Sequence, residues 1–386
     1  MPAAKVNRKG AARWIRGHPW IFRSDVLEPP ESVAGAVRVM GESSRFLGMA
    51  LWSPRSQISL RLLSTDDEPI DRTFWLERVS TAVEYRRSLA IDSNAYRLVH
   101  GEADGLPSLI ADRFGEVVVV QLLSAGLEAH RAEIVSAIQE LVAPLGLLAR
   151  NDVSVRKAEG LAENVELLSG TVPQEVEVIE AGIRYHAAPW TGQKTGAFLD
   201  QRQNRVRAGE LARGRALDCF SYHGSFALHL AARADEVVAL DSSGTALERA
   251  RANAALNGFE NLRTVEANAF DFLRAEESAG ARYDTIVVDP PAFAKRRDSL
   301  PQALRAYKEI NLRAMKLLNE GGILASFSCS HHVSTDLFRQ MLESAAADVR
   351  RPFRWLETRG PANDHPEIVQ IPESAYLKGA ILQAVG

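Results

Sequence analysis

The carboxyl-terminal half of the chain predicts an α/β fold with a doubly wound, largely parallel sheet, and three observations carry that reading. From Gly192 onward, short apolar runs alternate with helix-length stretches. Two of the runs, Thr285 to Val288 and Ile323 to Phe327, read as buried strands and end in Asp289-Pro290-Pro291-Ala292-Phe293 and Ser328-Cys329-Ser330. One helix-length stretch separates these segments, so a carboxylate and a thiol come to lie side by side at the carboxyl edge of the sheet, where such sheets bind ligands.

The elements before that half differ in character. The 386 residues, 46% apolar and 25% charged, suit two or three soluble globular domains. In the first seventy residues Lys5, Arg8, Lys9, Arg13, Arg16 and Arg23 accompany Trp14, Trp20 and Phe22, and no acidic residue precedes Asp25. Alternating runs follow at Ala36 to Met40, Phe46 to Leu51 and Gln57 to Leu63, punctuated by glycines, as in a small β-barrel. Cations that neutralise phosphates beside rings that stack bases meet the needs of a single-strand RNA binder. The alternative is a solvated basic terminus whose tryptophans form a small core. Residues 69–189 predict an α+β unit: a helix around Phe74 to Leu89, strands near Leu98 to His100, Ser108 to Asp112 and Val117 to Leu123, a helix from Leu127 to Val142, and strands at Leu147 to Asn151 and Val176 to Ile179. His100, Glu102 and Asp104 read as turn and surface residues. The expected domains are 1–68, 69–189 and 190–386.

In the last domain strands are expected at Ala216 to Cys219, Glu236 to Leu240, Leu262 to Glu266, Thr285 to Val288 and Ile323 to Phe327, with helices between them. A helix from Thr335 and strands at Phe353 to Glu357 and Tyr376 to Gln383 close the sheet. Seven strands with a closing hairpin follow the class I methyltransferase plan rather than the six-stranded dinucleotide plan.

Composition sets outer limits. The formal net charge of −3 allows a local basic patch. The chain has neither the ~18 to 20 unbroken apolar residues of a membrane span nor the leading apolar run of a signal peptide, so a cytoplasmic protein is expected. Two cysteines, Cys219 and Cys329, exclude a disulfide framework or a cysteine-rich zinc site, and no metal centre is expected. Ending strands two positions apart, they stand roughly 10 Å from each other. That is beyond the ~7 Å reach of a disulfide, so both should be free thiols.

The loops at the strand ends suggest a ligand. Asp218-Cys219-Phe220-Ser221-Tyr222-His223-Gly224-Ser225 runs into a helix, where backbone amides face a ligand. It has one glycine, Gly224, whereas a pyrophosphate loop needs G-x-G-x-x-G, which argues against NAD and FAD. Asp241 ends the second strand, placed either for ribose hydroxyls or as a helix cap. One glycine with one aspartate suits adenosine without pyrophosphate, as in S-adenosylmethionine. The two prolines after Asp289 stiffen the loop and remove donors, leaving carbonyls and the carboxylate to accept from an amino-bearing base. Phe293 can stack on that base, and Lys295, Arg296 and Arg297 add phosphate-binding charge. Carbon 5 of cytosine needs a thiolate at carbon 6 before it can take a methyl group, a role that fits Cys329. His331 and His332 are near enough in sequence to help it ionise. Cys219 reads as structural.

These residues resemble a known family. Thr195-Gly196-Ala197-Phe198-Leu199-Asp200-Gln201-Arg202, Leu217 to Tyr222, Asp289 to Phe293, Ser326 to Ser330 and Asp364-His365-Pro366 are similar to motifs of the bacterial class I methyltransferases that make 5-methylcytosine in 23S ribosomal RNA. Arg16-Gly17-His18-Pro19-Trp20-Ile21-Phe22 resembles their PUA domain, an RNA-binding fold. The resemblance implies a PUA domain, a central α+β domain and a methyltransferase domain. It implies S-adenosylmethionine held by Gln201, Phe220, Ser221, Gly224, Asp241, Asn268 and Asp289, with Tyr222, Ser242 and Ala269 as neighbours in the same loops. Cys329 would be the nucleophile, Asp289 its catalytic companion, and Pro290, Phe293, Lys295 and Arg296 would meet the substrate. The resemblance permits a homodimer. Three departures stand out: Pro290-Pro291 where many RNA 5-methylcytosine enzymes have a second cysteine, Asn268 where an aspartate is usual, and His331-His332 after the Cys-Ser pair. The first leaves the proton acceptor at carbon 5 unassigned. The rival readings are an exocyclic-amine methyltransferase acting on guanine and an RNA-binding protein that has lost activity.

Overall fold

The computed structural model describes residues 1–294 and 296–385, with Arg297 described by its backbone alone, and gathers their strands into four sheets. The chain divides into two compact units: one of Met1–Val178, Ala187–Leu199 and Asn363–Ser374, the other of Ile179–His186, Asp200–Ala362 and Ala375–Gly386.

The first unit opens with β1 (Ala3–Val6), α1 (Arg8–Ile15), β2 (Trp20–Phe22), β3 (Val26–Glu28), β4 (Gly35–Met40), β5 (Phe46–Trp52) and β6 (Ile58–Ser64), joined in the order β2-β6-β5-β4-β1-β3. The basic terminus is therefore largely folded. Asn7 caps α1 by accepting from the Gly10 amide, and Trp14 packs with Val37, Val39 and Leu60 in the core. Arg8, Lys9, Arg16 and Arg23 stay exposed.

A five-stranded sheet follows, made of β7 (Ala95–His100), β8 (Leu109–Phe114), β9 (Val117–Leu122), β10 (Gly146–Arg150) and β11 (Val165–Gly170), in the order β11-β10-β9-β8-β7. Its helices include α2 (Arg72–Ser88), capped by Asp71, then α3 (Ala125–Glu128), α4 (Arg131–Val142) and α5 (Val155–Glu159). The single helix expected from Leu127 is two, because Ser124 caps a first turn that ends at Ala129 before α4 begins. The turn at His100, Glu102 and Asp104 forms as expected, but these side chains are not surface groups. Arg86 holds the buried Asp104 carboxylate at 2.5 Å, Glu102 accepts from the Trp20 indole at 2.8 Å, and the His100 ring lies 5.2 Å from that of His365. Arg97 forks onto Asp112 at 2.6 and 3.0 Å, and its amide donates to Asp364 at 2.8 Å, which ties residues 363–374 into this unit.

After the hairpin of β12 (Val176–Glu180) and β13 (Ile183–Ala187), the second unit is built on β14 (Arg215–Cys219), β15 (Glu236–Asp241), β16 (Leu262–Glu266), β17 (Tyr283–Val288), β18 (Leu318–Ser328), β19 (Phe353–Arg359) and β20 (Lys378–Ala384). Their order is β16-β15-β14-β17-β18-β20-β19; the first five are parallel, while β20 runs against β18 and β19 against β20. The helices are α6 (Arg202–Leu211), α7 (Ser225–Ala231), α8 (Gly244–Leu256), α9 (Ala269–Ser278), α10 (Leu300–Leu317) and α11 (Thr335–Val349). Both sheet faces are covered: Leu217, Val238, Ile286 and Leu324 meet Tyr307, Ile310 and Phe338, while Ala216, Val237, Val287 and Phe327 meet Phe226 and Leu230. Burial on both faces is why these strands read as continuous apolar runs. Among the described residues no helix is long and apolar enough to cross a membrane, and no group of three or more His, Cys, Asp or Glu could hold a metal ion.

Beneath the first loop of this sheet lies a buried charge cluster. Arg205 forks onto Glu180 at 2.7 and 2.6 Å, and His229 and Tyr185 reach the same carboxylate at 3.0 and 3.2 Å. Burial works to raise the Glu180 carboxyl, but Arg205 and His229 overcome it and hold the group well below the usual carboxylate range. Glu180→Ala leaves the guanidinium buried without its partner and should cost about 3–5 kcal/mol, read from urea unfolding at neutral pH. Because the folded value is depressed, this stabilisation is complete above the ordinary 4.5 and declines only as pH falls below it, so the wild-type advantage should shrink in acid.

Candidate active site

The loop after β14 is held open by its own backbone. Phe220 and Tyr222 have φ of 66° and 53°, and Gly224 of 88°. The two non-glycine residues pay of order 1–3 kcal/mol each for that conformation. Bonds from Ser221 N to Leu240 O (2.9 Å), Tyr222 N to Asp241 Oδ2 (2.8 Å) and Gly224 N to Ser221 O (2.9 Å) oppose the strain. Gly224 is required twice over, for its φ and because a Cβ there would stand 3.0 Å from that of Ala250.

Three carboxylates gather around this loop. Asp218 is fully buried; its Oδ2 accepts from Ser221 Oγ at 2.6 Å and Ala227 N at 3.0 Å, while its Oδ1 has no protein partner. Burial pushes the carboxyl up to about 7 against those two bonds, and the charges of Asp289 and Asp241 push the same way. Asp241 uses one lone pair of each oxygen within the protein, on Tyr222 N and on Ser243 N (2.9 Å), and each oxygen keeps another for a hydroxyl. The helix cap at this position is Ser243, not Asp241, and Ser242 is exposed between them. Asn268 is exposed and caps α9, its Oδ1 taking the amides of Phe270 and Asp271, while the next residue, Ala269, is buried. The other end of the Asn268 amide is a donor, whereas the aspartate usual here only accepts.

On the far side of β14, Val288 of β17 pairs with Cys219 and with Ser326 of β18. Asp289 and Cys329 thus leave adjacent parallel strands, which run ~4.8 Å apart. Asp289 is half-buried, and its Oδ1 accepts from Gln201 Nε2 at 2.9 Å. Gln201 in turn accepts from Asn204 Nδ2 at 2.6 Å, and Asn204 Oδ1 accepts from Arg359 Nε at 3.0 Å. Arg359 can only donate, so it fixes the orientation of both amides. Pro290 is buried and Pro291 exposed. The Phe293 ring is half-buried, its centroid 4.7 Å from Tyr307, 6.1 Å from Phe270 and 6.4 Å from Phe220. Arg296 is exposed, and its amide donates to Ser299 Oγ at 3.3 Å; Lys295 lies outside the described residues.

Cys329 is half-buried at the first position past β18, and its neighbour Ser330 is held by several bonds. Ser330 Oγ meets the Tyr307 hydroxyl at 2.9 Å and accepts from Ala294 N at 3.3 Å. The Ser330 carbonyl accepts from Lys378 Nζ at 2.7 Å and from Val333 N at 3.1 Å. Both cysteines are free thiols. Cys219 is fully buried, and burial first, the Asp218 charge second, push its thiol well above the ordinary value. His331 and His332 are exposed, the former 5.8 Å from the Tyr376 ring. Sequence reasoning overlooked Asn204, Arg359, Tyr307 and Lys378. Only Lys378 carried a signal, as a charge inside an apolar strand.

Comparison with known proteins bears on the family and the fold. A family model described as S-adenosylmethionine-dependent methyltransferase matches residues 96–382, and one described as a PUA-like domain matches residues 4–65. The chain is 41% identical over 375 residues to ribosomal RNA large subunit methyltransferase I of Erwinia tasmaniensis, covering 95% of each. It is 41% identical over 382 residues to the protein of that name from Tolumonas auensis, covering 96% of each. Among solved structures, a candidate methyltransferase complexed with SAH, S-adenosylhomocysteine, superposes with a TM-score of 0.86 at 22% identity, over 99% of this chain and 100% of that one.

The buried Asp218 makes the fold sensitive to pH. Its folded value of about 7 stands above the ordinary 3.8, so the protonated form is the one that folding favours. Stability from this group is therefore full at low pH and is lost as pH rises from about 4 through 7. Asp218→Asn should flatten that stretch of the stability profile, measured as urea midpoints at several pH values.

Proposed function

This chain belongs to the S-adenosylmethionine-dependent methyltransferase family, and on that premise we propose that it transfers a methyl group to carbon 5 of a cytosine in 23S ribosomal RNA through a covalent adduct with Cys329. The observation that carries the reading is the exit of Asp289 and Cys329 from neighbouring parallel strands, next to the strained loop of β14. Bound S-adenosylmethionine supplies an electrophilic methyl group. The donor set fits it: Asp241 for the ribose hydroxyls, Asn268 and Ala269 at the adenine, the loop Phe220 to Gly224 along the body, and the carboxylate of Asp289 toward its positive charge. Gln201 serves by orienting Asp289.

On the substrate, Asp289 accepts from the amino group of the cytosine and holds its edge beside the turn. The Cys329 thiolate adds to carbon 6, which gives carbon 5 the nucleophilicity of an enamine. After transfer a base removes the carbon 5 proton, the electrons restore the 5,6 double bond, and the thiolate leaves. Residues 1–68 would recruit the RNA through the exposed Arg8, Lys9, Arg16 and Arg23, and the basic residues after Phe293 would meet its phosphates. Such a substrate places the protein in the cytoplasm. The curated relatives' shared name and the PUA-like match support the RNA target.

Two measurements test the reading. With labelled S-adenosylmethionine and 23S ribosomal RNA, wild type should yield 5-methylcytidine by mass and Cys329→Ala should yield none. Methylated guanosine made equally by both would favour an exocyclic-amine enzyme that needs no thiol. Asp241→Ala should weaken S-adenosylhomocysteine binding by about 10- to 100-fold in calorimetry, since it removes charge-assisted bonds worth roughly 1.5–3 kcal/mol.

A further inference from the structure

Two serines flank the thiol, and both lie against one tyrosine. Ser328, Ser330 and Tyr307 are fully buried. The Tyr307 hydroxyl meets Ser330 Oγ at 2.9 Å, and the same Oγ accepts from the Ala294 amide at 3.3 Å. Ser330 N in turn donates to Ser328 Oγ at 3.4 Å. Burial raises the pKa of the Tyr307 hydroxyl, while Ser328, Ser330 and the backbone of Phe293 lie close enough to lower it and Cys329 close enough to raise it. The Tyr307 ring stands 4.7 Å from that of Phe293. One side chain of α10 thus touches both the loop after β17 and the turn after β18. Cys329 packs against the cluster of Phe327 and Leu377, whereas Tyr307 belongs to the cluster on the other face of the sheet.

We propose that Tyr307 is a positioning residue for methyl transfer: its hydroxyl and ring join the loop of Phe293 to the Ser328-Cys329-Ser330 turn, so that the substrate-facing loop and the thiol keep one separation. The strand ladder does not reach that far. Pairing between β17 and β18 runs to Val288 and Ser326, and both segments then leave the sheet. Past that point the Ala294 amide crosses to Ser330 Oγ, and Tyr307 holds the Oγ from below. The prolines stiffen only the start of the loop. Misplacing a reacting group by about 1 Å can slow a step by roughly 100-fold, so a tie of this kind acts on rate rather than on affinity. The flanking serines of the Ser-Cys-Ser motif acquire a role in the same way, as the anchors on which the cysteine is mounted.

The catalytic meaning rests on the reading of Cys329 and Phe293 given above, so the tie is also measured without substrate. Tyr307→Phe keeps the ring and removes the hydroxyl; Ser330→Ala removes the other end of the bond and stands in should the first variant fold poorly. In hydrogen exchange of the free protein, followed by mass, the segments holding Ala294 and Val333 should both exchange roughly three- to tenfold faster in either variant, as loss of one net hydrogen bond implies. The segment from Ser221 to Gly224 should keep its rate. In methyl transfer to 23S ribosomal RNA, kcat should fall by about tenfold or more with KM for RNA and S-adenosylhomocysteine affinity unchanged. The double variant should be no slower than the worse single one, because both remove the same bond. An undiminished kcat in Tyr307→Phe overturns the proposal even where the urea midpoint falls, since a hydroxyl that serves only the core would give that result. Faster exchange in only one of the two segments overturns it as well, as does a loss of cofactor affinity equal to the loss of kcat. Full methyl transfer by Cys329→Ala would sink the nucleophile reading instead, a separate failure, because the exchange rates do not depend on the thiol's reactivity.

Discussion

The register that ties β14 to β17 and β17 to β18 decides where every reactive group can lie. From β14 the chain proceeds outward to β15 and β16, then returns to the other flank for β17 and β18, so β14 and β17 border the point where the winding changes direction. A crevice forms at such a point outside the carboxyl ends of the strands. The strained loop of Phe220 to Gly224 leaves β14, the carboxylate of Asp289 leaves β17 and the thiol of Cys329 leaves β18. A slip of one residue in any of these pairings would turn alternate side chains to the opposite face, and both faces are already packed.

That edge is also where charge is concentrated against the grain of the core. Asp218, Asp241 and Asp289 stand close enough for the last two to raise the first, and Lys378 lies buried with its ammonium on the Ser330 and Tyr376 carbonyls. Further back, the Glu180–Arg205 pair and the chain from Arg359 through Asn204 and Gln201 hold the surrounding backbone. Buried ionic groups contribute little net stability when compared with well-packed apolar ones. Their arrangement here instead specifies direction: which amide faces Asp289 and which oxygen of Asp218 is left over.

Much of this was readable before folding was considered. All seven strands of the main sheet were anticipated: β14, β15, β17 and β18, parallel and covered on both faces, leave apolar runs, and Leu262 to Glu266 matches to the residue. The first unit was less legible. β11 was missed because an edge strand with half-exposed side chains has no clear pattern, and α1 with β1 and β2 was hidden in a segment whose charges dominate its composition. At the site, Asp289, Cys329 and Gly224 were visible through their local motifs. Asn204 and Arg359 were not, since they meet each other across 155 positions of sequence. The role of Asp104 was misjudged for the same reason: Arg86, on the preceding helix, turns a loop aspartate into a buried one.

The two compact units are not consecutive stretches of sequence. Residues 179–186 belong with the second unit, 187–199 with the first, 200–362 with the second again, and 363–374 return to the first before the final strand. During synthesis, then, the first unit cannot complete itself until Asp364 has emerged to meet the Arg97 amide, by which time most of the second has already been made. Nor can the sheet of the second unit gain β20 until residues 378–384 leave the ribosome. Such interleaving trades independent folding for joint completion. A protein assembled this way completes neither unit until residues 364–384 have been made.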